Sequence, residues 1–265
     1  MATDLPVAVR VSDLSVGYNK KTVASKLFFS IPKGTVTALL GANGVGKSTI
    51  LKTITGELPP LSGEIYLCGR LLQDYTRKEI SRLLSIVTTD HVLAGGLTVK
   101  ELVELGRQPH TGILGRLGHK DHQIAAEAMR KVGISHKSDS YVAELSDGER
   151  QKVMIAKALA QDTPLIFLDE PFSFLDVAAR IEILSLMRIF AREGKTVLFS
   201  SHDVSQALRM ASLIMLFTAD RKIVSGHPLE LIADGSMDRL FHNESIRFSS
   251  RQNDFVEKQN AETAC

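Results

Sequence analysis

The chain has few of the features that mark disulfide-rich, membrane-spanning or nucleic-acid-binding proteins. Among its 265 residues are only two cysteines, Cys68 and Cys265, whose spacing suits neither a metal site nor a disulfide framework. A reducing cytoplasm therefore fits this composition. No apolar run approaches the ~18 residues of a membrane-spanning helix. The net charge is only +2, and no basic tract dominates, which argues against a nucleic-acid surface.

The sequence also lacks internal repeats and a recognisable secretory leader. Asp4 and Pro6 interrupt the first residues, so we expect no leader before Val7. Hydrophobic residues make up 44% of the chain, enough to bury a sizeable core. The composition predicts one domain, or a domain with a subdomain. If the protein works at a membrane, a membrane-embedded partner must hold it there.

A phosphate-binding loop is the first motif. Residues 41–49 read GANGVGKST and satisfy G-x-x-x-x-G-K-[ST] without a gap. The glycines let the backbone fold closely around phosphate, and the lysine reaches its outer oxygens. An apolar run before the motif and a helix-compatible stretch after it disfavour a merely flexible turn. The predicted nucleotide-binding residues here are Gly41, Ala42, Asn43, Gly44, Val45, Gly46, Lys47, Ser48 and Thr49, with the Ser48 hydroxyl as a Mg²⁺ ligand.

Two carboxylates end a second apolar run. Leu165–Leu168 reads LIFL, which predicts a buried parallel strand, and Pro171 stops it. Ligands of open α/β sheets bind at the carboxyl ends of strands. Asp169 is therefore a candidate Mg²⁺ partner, direct or through water, and Glu170 a candidate base for the attacking water. An ordinary Asp-Glu-Pro turn is the alternative, which the upstream loop disfavours.

Residues 145–151, LSDGERQ, have two compatible interpretations. Ser146 and Glu149 form a capping box ahead of an apolar pattern, which predicts a well-started helix. A capped helix N-terminus is also an anion site, and Gly148 lets another molecule approach its backbone. The segment becomes chemically meaningful if it caps a phosphate held by a second copy of the chain.

These segments, with FLD at 174–176 and SHD at 201–203, resemble the nucleotide-binding subunit of an ATP-binding cassette (ABC) transporter. The motifs occur in the family's order and spacing over roughly residues 7–230. Residues 105–121 and 160–171 further resemble the importers of ferric siderophores, heme and cobalamin. The resemblance implies ATP and Mg²⁺ as cofactors. It also implies an α/β fold: a P-loop NTPase cassette with a RecA-like core, a small antiparallel β-subdomain and an inserted α-helical subdomain.

The resemblance also implies boundaries and roles. The ABC domain would span 7–243, with the helical subdomain at about 90–162. After about residue 243 the composition turns polar, so we expect 244–265 to be an extension, partly helical or frayed. Tyr18 matches the aromatic that stacks on adenine, an ordinary strand-end tyrosine being the alternative. His202 matches the switch histidine at the terminal phosphate. The implied catalytic residues are Glu170, His202 and Lys47, and those acting from a second copy are Ser146, Asp147, Gly148, Glu149 and Asp176.

Three positions depart from the family pattern. Thr89 stands where the family has a glutamine that contacts Mg²⁺ and senses the membrane partner, so we hypothesise that Thr89 or Asp90 takes over that role. Asp147 replaces a glycine, which brings a repulsive charge near a triphosphate unless it points outward or pairs with Arg150 or Lys152. Phe172 replaces a threonine or serine, with no reason to abolish hydrolysis.

The implied function is ATP hydrolysis that energises import of an iron-siderophore, heme or cobalamin type substrate through an integral-membrane permease. The ATPase would be a homodimer on the cytoplasmic face of the cell (inner) membrane, would contact the permease between residues 88 and 118, and would depend indirectly on an external substrate-binding protein. Three alternatives stay open: a soluble non-transport ABC ATPase, for example in iron–sulfur cluster assembly, an exporter subunit, and a binding module with degenerate catalysis.

Overall fold

The chain folds into two main β-sheets, a C-terminal β-hairpin and a set of helices. The computed structural model describes residues 6–19, 21–88, 96–112, 115–173, 175–240 and 245–257. The strands are β1 (Val7–Tyr18), β2 (Lys21–Pro32), β3 (Val36–Leu40), β4 (Ser62–Leu67), β5 (Arg70–Leu71), β6 (Leu84–Val87), β7 (Leu165–Leu168), β8 (Thr196–Ser201), β9 (Leu213–Phe217), β10 (Ile223–Gly226), β11 (Ile246–Ser249) and β12 (Asp254–Glu257). The α-helices are α1 (Lys47–Ile54), α2 (Arg77–Leu83), α3 (Val99–Glu104), α4 (His119–Lys131), α5 (Asp147–Ala160), α6 (Val177–Arg192), α7 (Val204–Met210) and α8 (Pro228–Ala233).

The six-stranded sheet has the order β10-β9-β3-β8-β7-β6. Strands β9, β3, β8, β7 and β6 are parallel, and β10 pairs antiparallel with β9. Every residue of β3, β7 and β8 is buried, as the continuous apolar runs predict for strands covered on both faces. Their carboxyl ends all lie at one edge of the sheet, which is where the predicted site residues follow.

The second sheet is antiparallel, with the order β2-β1-β4-β5. A small antiparallel β-subdomain is what the resemblance implies, but no sequence pattern indicated β2. One hydrophobic core lies between this sheet, α1 and one face of the parallel sheet. A second core lies between the opposite face and the helices α3, α4, α5, α6 and α7. The antiparallel sheet therefore lies on the same side of the parallel sheet as the phosphate-binding loop.

The region predicted to be helical contains α3, α4 and α5, with a 3-10 segment at Leu105–His110. Gly106 is required there by close packing, because a Cβ on it would lie 2.3 Å from the Lys157 carbonyl oxygen. Arg107 is buried and donates through Nη1 to the Ala160 carbonyl (2.7 Å) and through Nε to Asp121 Oδ1 (2.9 Å). One arginine therefore ties the start of α4 to the end of α5.

The C-terminal region differs from the sequence expectation. Residues 246–257, expected to be partly helical or frayed, form the hairpin β11–β12, in which Phe248 and Phe255 stack edge to face. Ser205 of α7 donates its hydroxyl to the Asn253 carbonyl at 2.8 Å. Gly226 ends β10, and α8 begins at Pro228 with His227 as its N-cap. In the described part of the chain, no helix is long and apolar enough to cross a bilayer.

Candidate active site

The phosphate-binding loop connects β3 to α1. Gly44 and Gly46 have φ angles of +75° and +119°, which side-chain-bearing residues rarely adopt. A Cβ on Gly46 would also lie 2.5 Å from Cγ1 of Val23, a residue of β2 that covers the loop. Ser48, in the first turn of α1, is exposed. The sequence therefore forms the strand, loop and helix that its motif predicts.

Lys47 is the first residue of α1 and is 6% exposed. Its Nζ donates to the carbonyl oxygens of Gly41 (2.9 Å) and Ala42 (3.3 Å). The same Nζ forms an ion pair with Glu170 Oε1 at 3.0 Å. These contacts hold the ammonium group over the loop with its charge already paired to a carboxylate.

Asp169 and Glu170 follow β7 directly. Asp169 is 3% exposed, and its N–H donates to the Val87 carbonyl at the end of β6 (2.8 Å). Glu170 has a φ of +44°, an unusual left-handed conformation for a residue with a side chain. Strained backbone of this kind persists only where its surroundings hold it. Here it turns the Glu170 carboxylate toward both Lys47 and His202.

His202 follows β8 at the same edge of the sheet. Its Nδ1 lies 2.9 Å from Glu170 Oε2, and its side chain is 55% exposed. Asp203 caps α7 through a hydrogen bond from the Gln206 N–H (2.9 Å), and this fixes the backbone next to the histidine. The structure thus brings Lys47, Glu170 and His202 into one chain of contacts, with Asp169 beside Glu170.

The donor chemistry of the site suits Mg²⁺. The predicted ligands are a hydroxyl, Ser48, and a carboxylate, Asp169, and hard oxygen donors of this kind are the ones that Mg²⁺ uses together with phosphate and water. Among the described residues there is no cluster of three or more His, Cys, Asp or Glu that could hold a metal by itself. Thr89 and Asp90, the other predicted metal partners, lie outside the described residues.

The start of α5 forms the predicted capping box. Ser146 Oγ accepts from the Glu149 N–H (3.3 Å), and the Glu149 carboxylate accepts from the Ser146 N–H (3.0 Å). This backbone hydrogen bond, with that from the Ser146 hydroxyl, lowers the pKa of Glu149. Asp147 pairs with Arg150 at 2.8 Å, as expected if its charge is compensated, whereas Lys152 pairs with Glu182. The contacts of this segment are separate from those that join Lys47, Glu170 and His202.

The remaining predicted residues lie at element ends. Asp176 caps α6, with its Oδ1 accepting from the Ala179 N–H at 2.7 Å. Tyr18 is 45% exposed at the end of β1, where it pairs with Lys21. Phe172 is buried and meets Phe199 edge to face at 5.5 Å, so it acts as a core residue where the family has a small polar one.

The sequence reasoning missed one buried polar residue of this site. Ser200, in β8, donates to Asp169 Oδ1 (2.5 Å) and accepts from the Glu170 N–H (2.8 Å). The signal was a hydroxyl that directly follows the apolar residues 197–199 of this strand, two residues before His202.

Comparison with known proteins identifies the family. The family model for ABC transporters matches residues 24–173, more than half of the chain. This chain belongs to the ABC transporter family. The cassette is 36% identical over 240 residues to the ferric enterobactin transport ATP-binding protein FepC of Escherichia coli (strain K12), covering 90% of this chain and 89% of that protein. It is also 36% identical over 235 residues to the iron(3+)-hydroxamate import ATP-binding protein FhuC of Bacillus subtilis (strain 168), covering 88% and 87%.

A solved structure gives the same result. The cassette superposes with a TM-score of 0.75 and 27% identity on a chain of an ABC transporter described as of metal-chelate type, in an inward-facing conformation, covering 94% of this chain and 95% of that one. The predicted family and the predicted P-loop ABC fold are therefore confirmed. The cassette is an ATP-binding ATPase, as predicted.

Proposed function

We propose that this cassette hydrolyses MgATP to energise import of a ferric-siderophore type substrate through a membrane permease, working as a homodimer on the cytoplasmic face of the membrane. The contact chain Lys47–Glu170–His202 carries the catalytic part of the proposal. The relatives named for ferric enterobactin and iron(3+)-hydroxamate support an iron-chelate cargo. Heme and cobalamin, the other cargoes expected from the sequence, have less support.

The loop residues would bind the triphosphate, and Tyr18 would stack on the adenine. Backbone N–H groups of the glycine-rich loop and the start of α1 provide donors for phosphate oxygens. Ser48 and Asp169 would hold Mg²⁺, which neutralises charge on the phosphates when it is bound. Lys47 is already oriented by two carbonyls, so it can contact the outer phosphates without a large rearrangement.

Hydrolysis would use the Glu170 carboxylate. In the structure Lys47 pairs with Glu170, and a terminal phosphate would compete for the same ammonium group. That exchange leaves Glu170 free to polarise water, whose oxygen bonds to the terminal phosphorus while the bond to the ADP oxygen breaks and the proton passes to the carboxylate. His202, whose Nδ1 lies 2.9 Å from Glu170 Oε2, would contact the terminal phosphate.

A second copy of the chain would complete each site. Ser146 and Gly148 lie at a capped helix N-terminus, whose free N–H groups suit an anion. Arg150 compensates the nearby Asp147 charge, so the segment can approach a triphosphate. Asp176 would lie at the same interface. ATP would favour the closed dimer, and its hydrolysis would release it.

A groove between α2 and α5 offers a surface for the permease. It has a volume of about 550 Å³, and Lys157 in it carries no ion pair among the described residues. Burial lowers the pKa of Lys157 because it disfavours the charged ammonium group, and an acidic group of the partner would offset that cost. The groove adjoins the expected contact region 88–118, since Arg82 of α2 donates to the Pro109 carbonyl at 2.8 Å. The residues that line the groove include Arg77, Ile80, Leu84, Lys157 and Gln161.

The proposal is tested by phosphate release and by uptake. Lys47→Ala should lower ATPase turnover on the order of 100-fold or more, because it removes charge stabilisation from the transferred phosphoryl group. Lys120→Ala, an exposed lysine of α4, is the matched control and should retain turnover. In cells that lack the chromosomal copy, the wild type should restore uptake of a ferric siderophore and Lys47→Ala should not.

The alternatives give different results in the same experiments. A soluble ABC ATPase would retain Lys47-dependent phosphate release, would not co-purify with a membrane permease and would not restore uptake. An exporter subunit would co-purify with membranes and lower the accumulation of its substrate. A degenerate binding module would release no phosphate above the Lys47→Ala background.

A further inference from the structure

Strands β7 and β8 place Asp169 and Ser200 on the same face of the parallel sheet. Side chains alternate along a strand, and Phe167 of β7 and Leu198 of β8 both belong to the core on the α1 side. The residues two positions later, Asp169 and Ser200, therefore face α1 as well. Ser200 has no exposed surface and follows the apolar residues Val197, Leu198 and Phe199 of β8.

The Ser200 hydroxyl links both acidic residues of the site. It donates its proton to Asp169 Oδ1 at 2.5 Å and accepts from the Glu170 N–H at 2.8 Å. The first contact uses one oxygen of the buried carboxylate and leaves Oδ2 for another ligand. The second satisfies a backbone donor of a residue whose φ is +44°. The Ser200 side chain therefore fixes both the orientation of the Asp169 carboxylate and the left-handed backbone conformation of Glu170.

The held backbone controls the position of the catalytic carboxylate. Glu170 contacts Lys47 Nζ at 3.0 Å and His202 Nδ1 at 2.9 Å, so a rotation at its N–H displaces both contacts. A buried polar group that loses its partner relaxes toward another one. Removing the Ser200 hydroxyl would leave Asp169 Oδ1 and the Glu170 N–H without this partner.

We propose that Ser200 is a positioning residue of the ATPase reaction: its hydroxyl fixes Asp169 with Oδ2 available to Mg²⁺ and fixes Glu170 toward the attacking water. The proposal rests on the proposed function of Asp169 and Glu170. The two hydrogen bonds of the Ser200 hydroxyl are to Asp169 and Glu170, so its effect would reach the reaction through these two residues.

The test compares Ser200→Ala with two conservative variants and a matched control. Ser200→Ala should lower kcat on the order of 10-fold or more and raise the Mg²⁺ concentration for half-maximal rate several-fold, with metal-free ATP binding unchanged. Ser200→Thr keeps the hydroxyl and should recover most of kcat. Ser200→Cys keeps the size but bonds weakly, so it should resemble the alanine variant and serves if that variant does not fold.

Ser85→Ala is the control, because Ser85 is a buried serine of β6 in the same sheet that accepts a hydrogen bond from Thr163 at 3.0 Å. It should leave kcat and the Mg²⁺ dependence at wild-type values. The proposal is overturned if Ser200→Ala and Ser200→Cys keep wild-type kcat and Mg²⁺ dependence, or if Ser85→Ala loses activity equally. Failure of the proposed function is distinct: the wild type itself would then show no Lys47-dependent phosphate release.

Discussion

Asp147 and Arg150 show how a single charge is accommodated at the start of α5. The carboxylate lies in the first turn of the helix, where it also interacts favourably with the helix dipole. Arg150 Nη1 forms an ion pair with this carboxylate at 2.8 Å, and Arg150 Nη2 donates a hydrogen bond to the Leu145 carbonyl at 3.0 Å. Because that second bond anchors the guanidinium, the compensation is built into the local backbone.

Arg150→Ala should therefore lower ATPase turnover about 3- to 10-fold at low salt, since an uncompensated Asp147 would repel the triphosphate across the proposed dimer. The loss should shrink at high ionic strength. The double variant Asp147→Asn/Arg150→Ala should recover turnover, and Lys152→Ala, which removes a cation paired elsewhere, should change it little. Equal losses in the single and double variants would contradict this account.

The helical elements depend on one buried arginine. Arg107 is 5% exposed and joins Leu105–His110, α4 and α5 through Asp121 and the Ala160 carbonyl. A hydrogen bond from the Gly118 N–H, and then the pairing with Arg107, lower the pKa of Asp121. Because the folded pKa is depressed, this carboxylate stabilises the fold above the ordinary aspartate pKa and loses that contribution as the pH falls through the folded value.

Arg107→Ala should destabilise the protein by about 2–4 kcal/mol, because it leaves a buried carbonyl unpaired and breaks a mostly buried ion pair. Denaturant unfolding at pH 7 measures this. The gap to wild type should narrow as the pH falls below the ordinary aspartate pKa of about 4 and toward the depressed folded pKa of Asp121. Arg130→Ala, at an exposed pair with Glu127, is the control and should cost about 0.5 kcal/mol or less. Equal losses in both variants would be evidence against the role of Arg107.

Sequence patterns predicted the buried parallel strand β7 well, because it is short, wholly apolar and directly followed by acidic residues of the site. They did not predict β2, whose charged and apolar residues alternate irregularly around bulges with β1. The hairpin β11–β12 was missed because its stabilising contacts, to Asp238 and Ser205, come from distant parts of the chain. Ser200 was missed because its two partners, Asp169 and Glu170, follow the neighbouring strand β7 and are 31 and 30 residues away along the chain.

At the scale of the whole molecule, one chain supplies half of each proposed ATP site. Lys47, Glu170 and His202 are joined by contacts within the chain, whereas Ser146 and Gly148 begin a different helix with its own capping contacts. A dimer related by two-fold symmetry would bring the two sets together in both sites at once. This division of residues predicts that the chain dimerises when it binds ATP.

The Glu170→Gln variant tests whether ATP drives dimerisation. The variant keeps the ATP-binding residues but removes the base, so with ATP it should elute as a dimer in size-exclusion chromatography and hydrolyse ATP on the order of 100-fold more slowly than wild type. Without nucleotide, or with Lys47→Ala added, it should elute as a monomer. A Glu170→Gln protein that stays monomeric with ATP and turns over at the wild-type rate would contradict the account.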